Sequence, residues 1–188
     1  MNVAELLTRV TGALSASGVP YMLGGSFAST KHGLPRSTQD VDIIIDPPTV
    51  ASFEALVEVF CKGDYYCDRE VAGRAFRHRE MFNVIDHATG WKVDFILCKA
   101  RPFSREEFQR RTPASMLGVP VFVATAEDTI IAKLEWSKSS GGSARQRRDV
   151  AGIVAVAGSQ LDHAYLQRWI NELELSGEWR AANEATTD

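Results

Sequence analysis

Apolar residues at Val3, Leu6, Leu7, Val10 and Leu14 recur at helical spacing and predict an amphipathic helix at the start of the chain. Asn2 is placed to cap it, with Glu5 at the capping-box position, and Gly18 and Pro20 end it. Tyr21-Met22-Leu23 is a short apolar run that stops at Gly24-Gly25-Ser26. A second helix is expected from near Ser26 to Gly33, with Pro35 enforcing a break. Val41 to Ile45 is β-branched, short and bounded by Pro47-Pro48, the pattern of a buried strand. Thr49 opens a helix whose apolar face is Phe53, Leu56, Val57 and Phe60. Residues 81–86 and 91–98 read as two strands of a hairpin joined through His87-Ala88-Thr89-Gly90. Residues 104–111 predict a short helix and Val119 to Val123 a further strand.

From Thr125 the pattern turns helical. Thr125 and Asp128 form a capping pair, and the helix they start runs to about Lys138. Ser139 to Ser143 is a flexible loop, followed by helices at about 145–157 and 162–174. The last dozen residues are polar and are expected to fray. Strands in the first two thirds and helices in the last third predict an α/β or α+β fold. The expected division is an α/β core over residues 1–124 and a helical C-terminal part over 125–188.

Composition narrows the class without naming it. The 188 residues are 45% hydrophobic and 24% charged, ordinary for a globular chain able to bury a core without disulfides or a structural metal. No run approaches the roughly 18 apolar residues of a membrane span, and the first residues do not read as a signal peptide. A net charge of -3 argues against a polyanion-binding surface over the whole molecule, though not against a local basic patch. Cys61, Cys67 and Cys98 are odd in number and lack metal-ligand spacing, which reads as reduced thiols of a cytoplasmic protein. His32, His78, His87 and His163 have no metal-site spacing, and no P-loop or G-x-S-x-G elbow is present.

The segment with chemistry in it is Gly24 to Ile45. Asp40 and Asp42 stand two apart at the entry of an apolar strand, so their carboxylates share one face. Side by side they repel each other, and a cation between them removes the cost; hard oxygen ligands with room for phosphate suit Mg²⁺. The bland alternative is a solvated pair at a strand end. Upstream, Gly24, Gly25 and Ser26 form a glycine turn into a helix N-terminus, where backbone N–H groups and the helix dipole favour an anion. Arg36 stands just before the Asp pair as a further phosphate contact or a plain surface arginine. Asp94 interrupts an apolar strand in which Trp91, Val93, Phe95 and Leu97 alternate to the opposite face. If that strand neighbours the Asp40/Asp42 strand, three carboxylates converge as two-metal phosphoryl transfer requires.

The order GGS, DVD and an isolated strand Asp resembles the polymerase β-like nucleotidyltransferase superfamily. TAEDTIIAKLEWSK followed by RQRRDV is similar to the helical part of AbiEii-type nucleotidyltransferase toxins. The resemblance spans roughly residues 20–155 and implies a mixed β-sheet flanked by helices. It further implies transfer of a nucleotide from an NTP to an acceptor hydroxyl or phosphate with two Mg²⁺ ions. Gly25 and Ser26 would hold the β- and γ-phosphates, and Asp40, Asp42 and Asp94 the metals. Lys133 would contact the triphosphate, and Asp149 would orient Lys133 or the acceptor. From the residues alone neither stands out: Lys133 reads as a solvated helical lysine and Asp149 as an acid complementing a helix start. The toxin resemblance also implies a tRNA 3′ end as acceptor and an antitoxin protein as partner.

Two other readings stay open. One is a small-molecule nucleotidyltransferase, such as an aminoglycoside-modifying enzyme, which shares the core block. The other is a non-catalytic nucleotide-binding regulator, against which the intact set of acids counts. Basic clusters at Lys99 to Arg111 and at Arg145-Arg147-Arg148 are candidates for RNA phosphates or for solvated helix faces.

Overall fold

A computed structural model describes residues 2–184. It contains α1 (Val3–Ala16), β1 (Tyr21–Leu23), α2 (Gly25–His32), β2 (Asp40–Ile45), α3 (Val50–Lys62), β3 (Tyr65–Cys67), α4 (Arg69–His78), β4 (Met81–Asp86) and β5 (Lys92–Leu97). These are followed by α5 (Pro102–Arg110), β6 (Thr112–Met116), β7 (Val119–Val123), α6 (Ala126–Ser139), α7 (Ala144–Ala157), a 3-10 turn at Gly158–Gln160, α8 (His163–Glu172) and α9 (Ser176–Glu184). No helix among the described residues is long and apolar enough to cross a membrane.

The residues fall into two compact units. The first comprises the chain before Gly25 together with Thr38–Val123; the second comprises Gly25–Ser37 together with the chain from Ala124 on. The first unit holds a seven-stranded mixed sheet of order β3-β4-β5-β2-β1-β7-β6. β2 and β5 run parallel, as do β1 and β7; the remaining pairings are antiparallel. The β4–β5 hairpin forms as its turn signal predicts, with Gly90 supplying a positive φ of 72°.

Alternation along β2 buries Val41, Ile43 and Ile45 completely and leaves Asp40, Asp42 and Ile44 half-buried. Ile43 and Ile45 pair with Phe95 and Leu97 of β5, and Leu6, Leu7 and Leu14 of α1 and Leu56 and Phe60 of α3 are buried in the same unit's apolar core. Aromatic contacts tie this core together: Phe60 and Phe82 each lie 5.2 Å from Phe95, and Phe53 stacks on Phe76 at 4.3 Å. Where the hairpin ends, Asp86 is fully buried against Arg9 of α1 at 2.8 Å, and Thr89 donates to its other oxygen.

The second unit is helical. Phe27 and Ala28 of α2, Ile130, Ile131 and Leu134 of α6, Val150 and Ile153 of α7, and Leu166, Trp169 and Ile170 of α8 form its core. Gly33 closes α2 against α7: a Cβ there would fall 2.9 Å from the backbone nitrogen of Ile153, so only glycine fits. The Thr125–Asp128 cap forms as predicted, and Asp128 is fully buried with Tyr165 donating to it.

Four elements differ from the expectations of periodicity. β3, α4 and β6 lie where no element is predicted. α4 buries only Ala72 and Ala75, too small to mark a face, and β6 is an edge strand carrying Pro113. The expected fraying of the last dozen residues is corrected as far as Glu184. α9 forms there around fully buried Ala182, while residues 185–188 lie outside the described residues.

Candidate active site

The first unit gathers carboxylates on two adjacent strands. β2 and β5 pair in a register that sets Asp42 opposite Asp94 and Asp40 opposite Lys92. Asp94 is 5% exposed, and β4 places Asn83 opposite it on the other side. Its Oδ2 accepts from the Lys92 ammonium at 2.8 Å, while its Oδ1 is buried with no hydrogen-bond partner. An orphaned buried carboxylate oxygen costs free energy unless something binds it. Thr38 donates its hydroxyl to the Asp40 carboxylate, and the Gly24 N–H donates to the Asp42 carbonyl at 3.0 Å.

Hard oxygen donors with one of them unsatisfied fit a divalent cation such as Mg²⁺ in donor chemistry. No closed cluster of three or more acidic, His or Cys side chains stands ready around a single point among the described residues. Lys92 was not singled out by sequence, although its position two residues before Asp94 on a strand puts both on one face. Its ammonium is stabilised in the charged form first by the Asp94 hydrogen bond and then by the charges of Asp94, Asp40 and Asp42.

The second unit gathers a different set. α2 starts at Gly25, whose φ of 48° is a left-handed conformation that glycine alone adopts without strain. Ser26, in its first turn, is 4% exposed, and its hydroxyl oxygen accepts from Arg36 Nη2 at 2.8 Å. Arg36 Nε donates to both carboxylate oxygens of Asp149, at 3.0 and 3.2 Å. Lys133 Nζ donates to Asp149 Oδ2 at 2.7 Å and to Gln146 Oε1 at 3.0 Å. Lys133 is therefore not the solvated lysine that its helix position allows: it is 5% exposed. Burial pushes the Asp149 carboxyl up, but hydrogen bonds and charge from Lys133 and Arg36 outweigh it and hold the group below its ordinary value. One carboxylate thus joins residues from α6, α7 and the segment after α2. Gln146 is the member that sequence reasoning missed; a neutral residue among arginines carries no chemical signal of its own.

Other candidates resolve into packing. His32 lies in α2 with Nε2 2.7 Å from the Ala124 carbonyl, and burial lowers its pKa, so it is neutral at pH 7. In the first basic cluster Arg105 pairs with Asp46 at 3.1 Å. Arg111 donates to the Phe108 carbonyl and stacks on that ring at 4.3 Å. Cys61, Cys67 and Cys98 carry free thiols, as expected.

No family model matches the sequence, and no curated protein matches it. Solved structures do. The antibiotic-resistance factor ANT(2'')-Ia in solution aligns over 98% of this chain and 96% of its own, with 14% identity and a TM-score of 0.57. Its crystal structure with adenylyl-2"-tobramycin aligns over 90% and 97%, with 13% identity and a TM-score of 0.59. An antigenic nucleotidyltransferase-like protein from Paracoccidioides brasiliensis aligns over 94% and 90%, with 17% identity and a TM-score of 0.51.

The chain has a nucleotidyltransferase fold. The mixed sheet flanked by helices that the GGS and DVD blocks implied is the one observed. Within that nucleotidyltransferase fold the sequence blocks occupy defined places: GGS spans the junction of β1 and α2, DVD opens β2, and Asp94 lies on the neighbouring β5.

Proposed function

We propose that the protein is a Mg²⁺-dependent nucleotidyltransferase that moves a nucleotide from an NTP to an acceptor hydroxyl or phosphate. The observation that carries this reading is the register pairing of Asp42 with Asp94, together with the unsatisfied buried Oδ1 of Asp94. Nothing in a β-sheet needs two acids directly opposite each other, and the single Lys92 ammonium is outnumbered by the three carboxylates it faces. Asp40, Asp42 and Asp94 would hold the metal. When bound, Mg²⁺ supplies charge neutralisation at phosphoryl oxygens and acidifies the acceptor oxygen.

The chain's own groups supply binding and orientation. Gly25 and Ser26 offer N–H and hydroxyl donors at the start of α2 for phosphate oxygens, while Gly24, whose N–H is held by the Asp42 carbonyl, lets the backbone approach them. Lys133 and Arg36, fixed by Asp149, present cationic donors whose side-chain entropy is already spent. Asp149 acts as a positioning residue through these two cations. The resemblance to AbiEii-type toxins supports an RNA 3′ end as acceptor, an antitoxin partner and a cytoplasmic setting.

A second reading, a small-molecule acceptor, is favoured by the alignment with nearly the full length of ANT(2'')-Ia. Incubation with labelled NTPs, Mg²⁺ and either bulk tRNA or aminoglycosides separates the two by which acceptor takes the label. Transfer should vanish in Asp42→Asn. If that variant labels an acceptor as fast as wild type, the reading is wrong.

A further inference from the structure

Within the second unit lies a cavity of about 500 Å³, lined in part by Ser29, Arg36, Ser37, Arg145, Arg148 and Asp149. Its charge is one-sided. Asp149 is already shared between Arg36 and Lys133, so it does not offset further cations. Arg145 and Arg148 are exposed and have no carboxylate partner among the described residues. Their neighbour Arg147 differs: it pairs with Glu178 at 3.3 Å.

The placement runs against local preference. α7 is capped by Ser143, so Arg145 stands in its first turn, which holds no acid, and Arg148 follows one turn on beside the already shared Asp149. The positive end of the helix dipole disfavours cations at such positions. A local choice that conflicts with its element marks a site where something other than folding sets the residue. Guanidinium groups around an open cavity match phosphate oxygens in charge and in bidentate geometry.

We propose that this cavity is a phosphate-binding subsite, in which Arg145 and Arg148 take the phosphate groups of an incoming ligand and turn polycationic acceptors away. The proposal deepens the nucleotidyl-transfer reading and rests on it for the ligand class. The shared chemistry is the phosphate oxyanion, carried either by a nucleic-acid strand or by the polyphosphate tail of a nucleotide. An aminoglycoside such as tobramycin carries the opposite charge, so the subsite favours an anionic acceptor over the kind of molecule bound in the ANT(2'')-Ia crystal structure.

The test is binding without turnover. Metal-free full-length protein is titrated with a fluorescent oligoribonucleotide, with inorganic tripolyphosphate and with tobramycin. Arg145→Gln/Arg148→Gln should weaken at least one phosphate probe about tenfold or more at matched thermal stability, and Arg145→Lys/Arg148→Lys should recover part of the loss. For the oligoribonucleotide, the magnitude of the slope of log affinity against log salt should fall by about 1.4, roughly 0.7 for each phosphate contact removed from a single strand. Loss confined to the oligoribonucleotide assigns the subsite to a strand; loss confined to tripolyphosphate assigns it to the nucleotide. Unchanged affinity for both probes, or tobramycin binding more tightly than either, overturns the proposal. These readouts do not depend on transfer, so failure here and loss of the Asp42-dependent reaction are told apart.

Discussion

Asp42 and Asp94 are register partners on the parallel strands β2 and β5, and one oxygen of the Asp94 carboxylate is buried without a hydrogen bond. Lys92 donates to the other oxygen, and its charge also acts on Asp40 and Asp42. Three carboxylates outnumber that single ammonium, so the effect of a further cation is measurable apart from catalysis.

Replacing Asp42 by Asn should lower metal-dependent nucleotidyl transfer at least about a hundredfold. The same change should leave the metal-free protein as stable as wild type or raise its melting temperature by about 2–4 °C, for roughly 1 kcal/mol of repulsion removed. Mg²⁺ should raise the melting temperature of wild type and have no such effect on Asp94→Asn. Thermal scans with and without Mg²⁺ check this. Destabilisation by Asp42→Asn alone would mean that the carboxylate is structural.

The buried cluster in the helical unit predicts an asymmetry. Lys133 and Asp149 are both nearly inaccessible, and Asp149 also carries Arg36. Asp149→Ala leaves two cations without their carboxylate and should cost about 3–5 kcal/mol in urea unfolding. Lys133→Met leaves Asp149 still paired with Arg36 and should cost clearly less. Equal losses would show that the pairing with Arg36 contributes nothing.

Acid should unfold the protein through identifiable groups. Burial pushes the Asp86 carboxyl up, but Thr89 and Arg9 more than compensate and hold it below its ordinary value. Asp149 is likewise lowered, and Glu178 is lowered first by its Ser137 hydrogen bond and then by Arg147. For a lowered carboxylate the unfolded chain binds the proton more readily. Its stabilisation is complete above the ordinary carboxylate range and is lost as pH falls through the lowered folded values. Urea midpoints measured from pH 6 to pH 2 should fall steeply below about pH 4, and Arg9→Gln should flatten part of that dependence.

Thiol reactivity offers an independent check on burial. Cys98 is pushed up to about 11, chiefly by burial; Cys67 is pushed up to about 12 by burial and by the neighbouring Cys61. At pH 8 the Cys98 thiolate fraction is on the order of one part in a thousand, so alkylation of both should be slow in the folded protein and fast in urea. Mass mapping after brief iodoacetamide treatment reads each cysteine separately. Rapid labelling of Cys98 in the folded state would contradict the packing described.

Much of the fold is legible in short-range pattern. Asn2 and Glu5, and Thr125 and Asp128, announce helix starts because capping depends on residues three apart. The elements that escaped have weak local signals. α4 and α9 bury only alanines, and β6 gains its place by pairing with β7 rather than by its own apolar face. In the candidate site, Asp40 and Asp42 are visible because two residues on a strand share a face. Lys92 carries the same two-residue signal toward Asp94, but Gln146 carries none, since it matters only through Lys133 across a helix pair.

By itself the sequence determined which residues stand at strand entries, helix starts and turns, because those depend on neighbours a few positions away. It did not determine that β5 slots beside β2 so that Asp94 meets Asp42 some fifty residues distant. Nor did it determine that Arg36 reaches Asp149 across 113 positions while Lys133 comes to the same carboxylate. Strand register and buried ion pairing are set by how whole elements pack, and packing is a balance summed over the core. The identity of the acids was local information; their convergence, and the burial that makes each charge costly unless it is matched, came only with the tertiary structure.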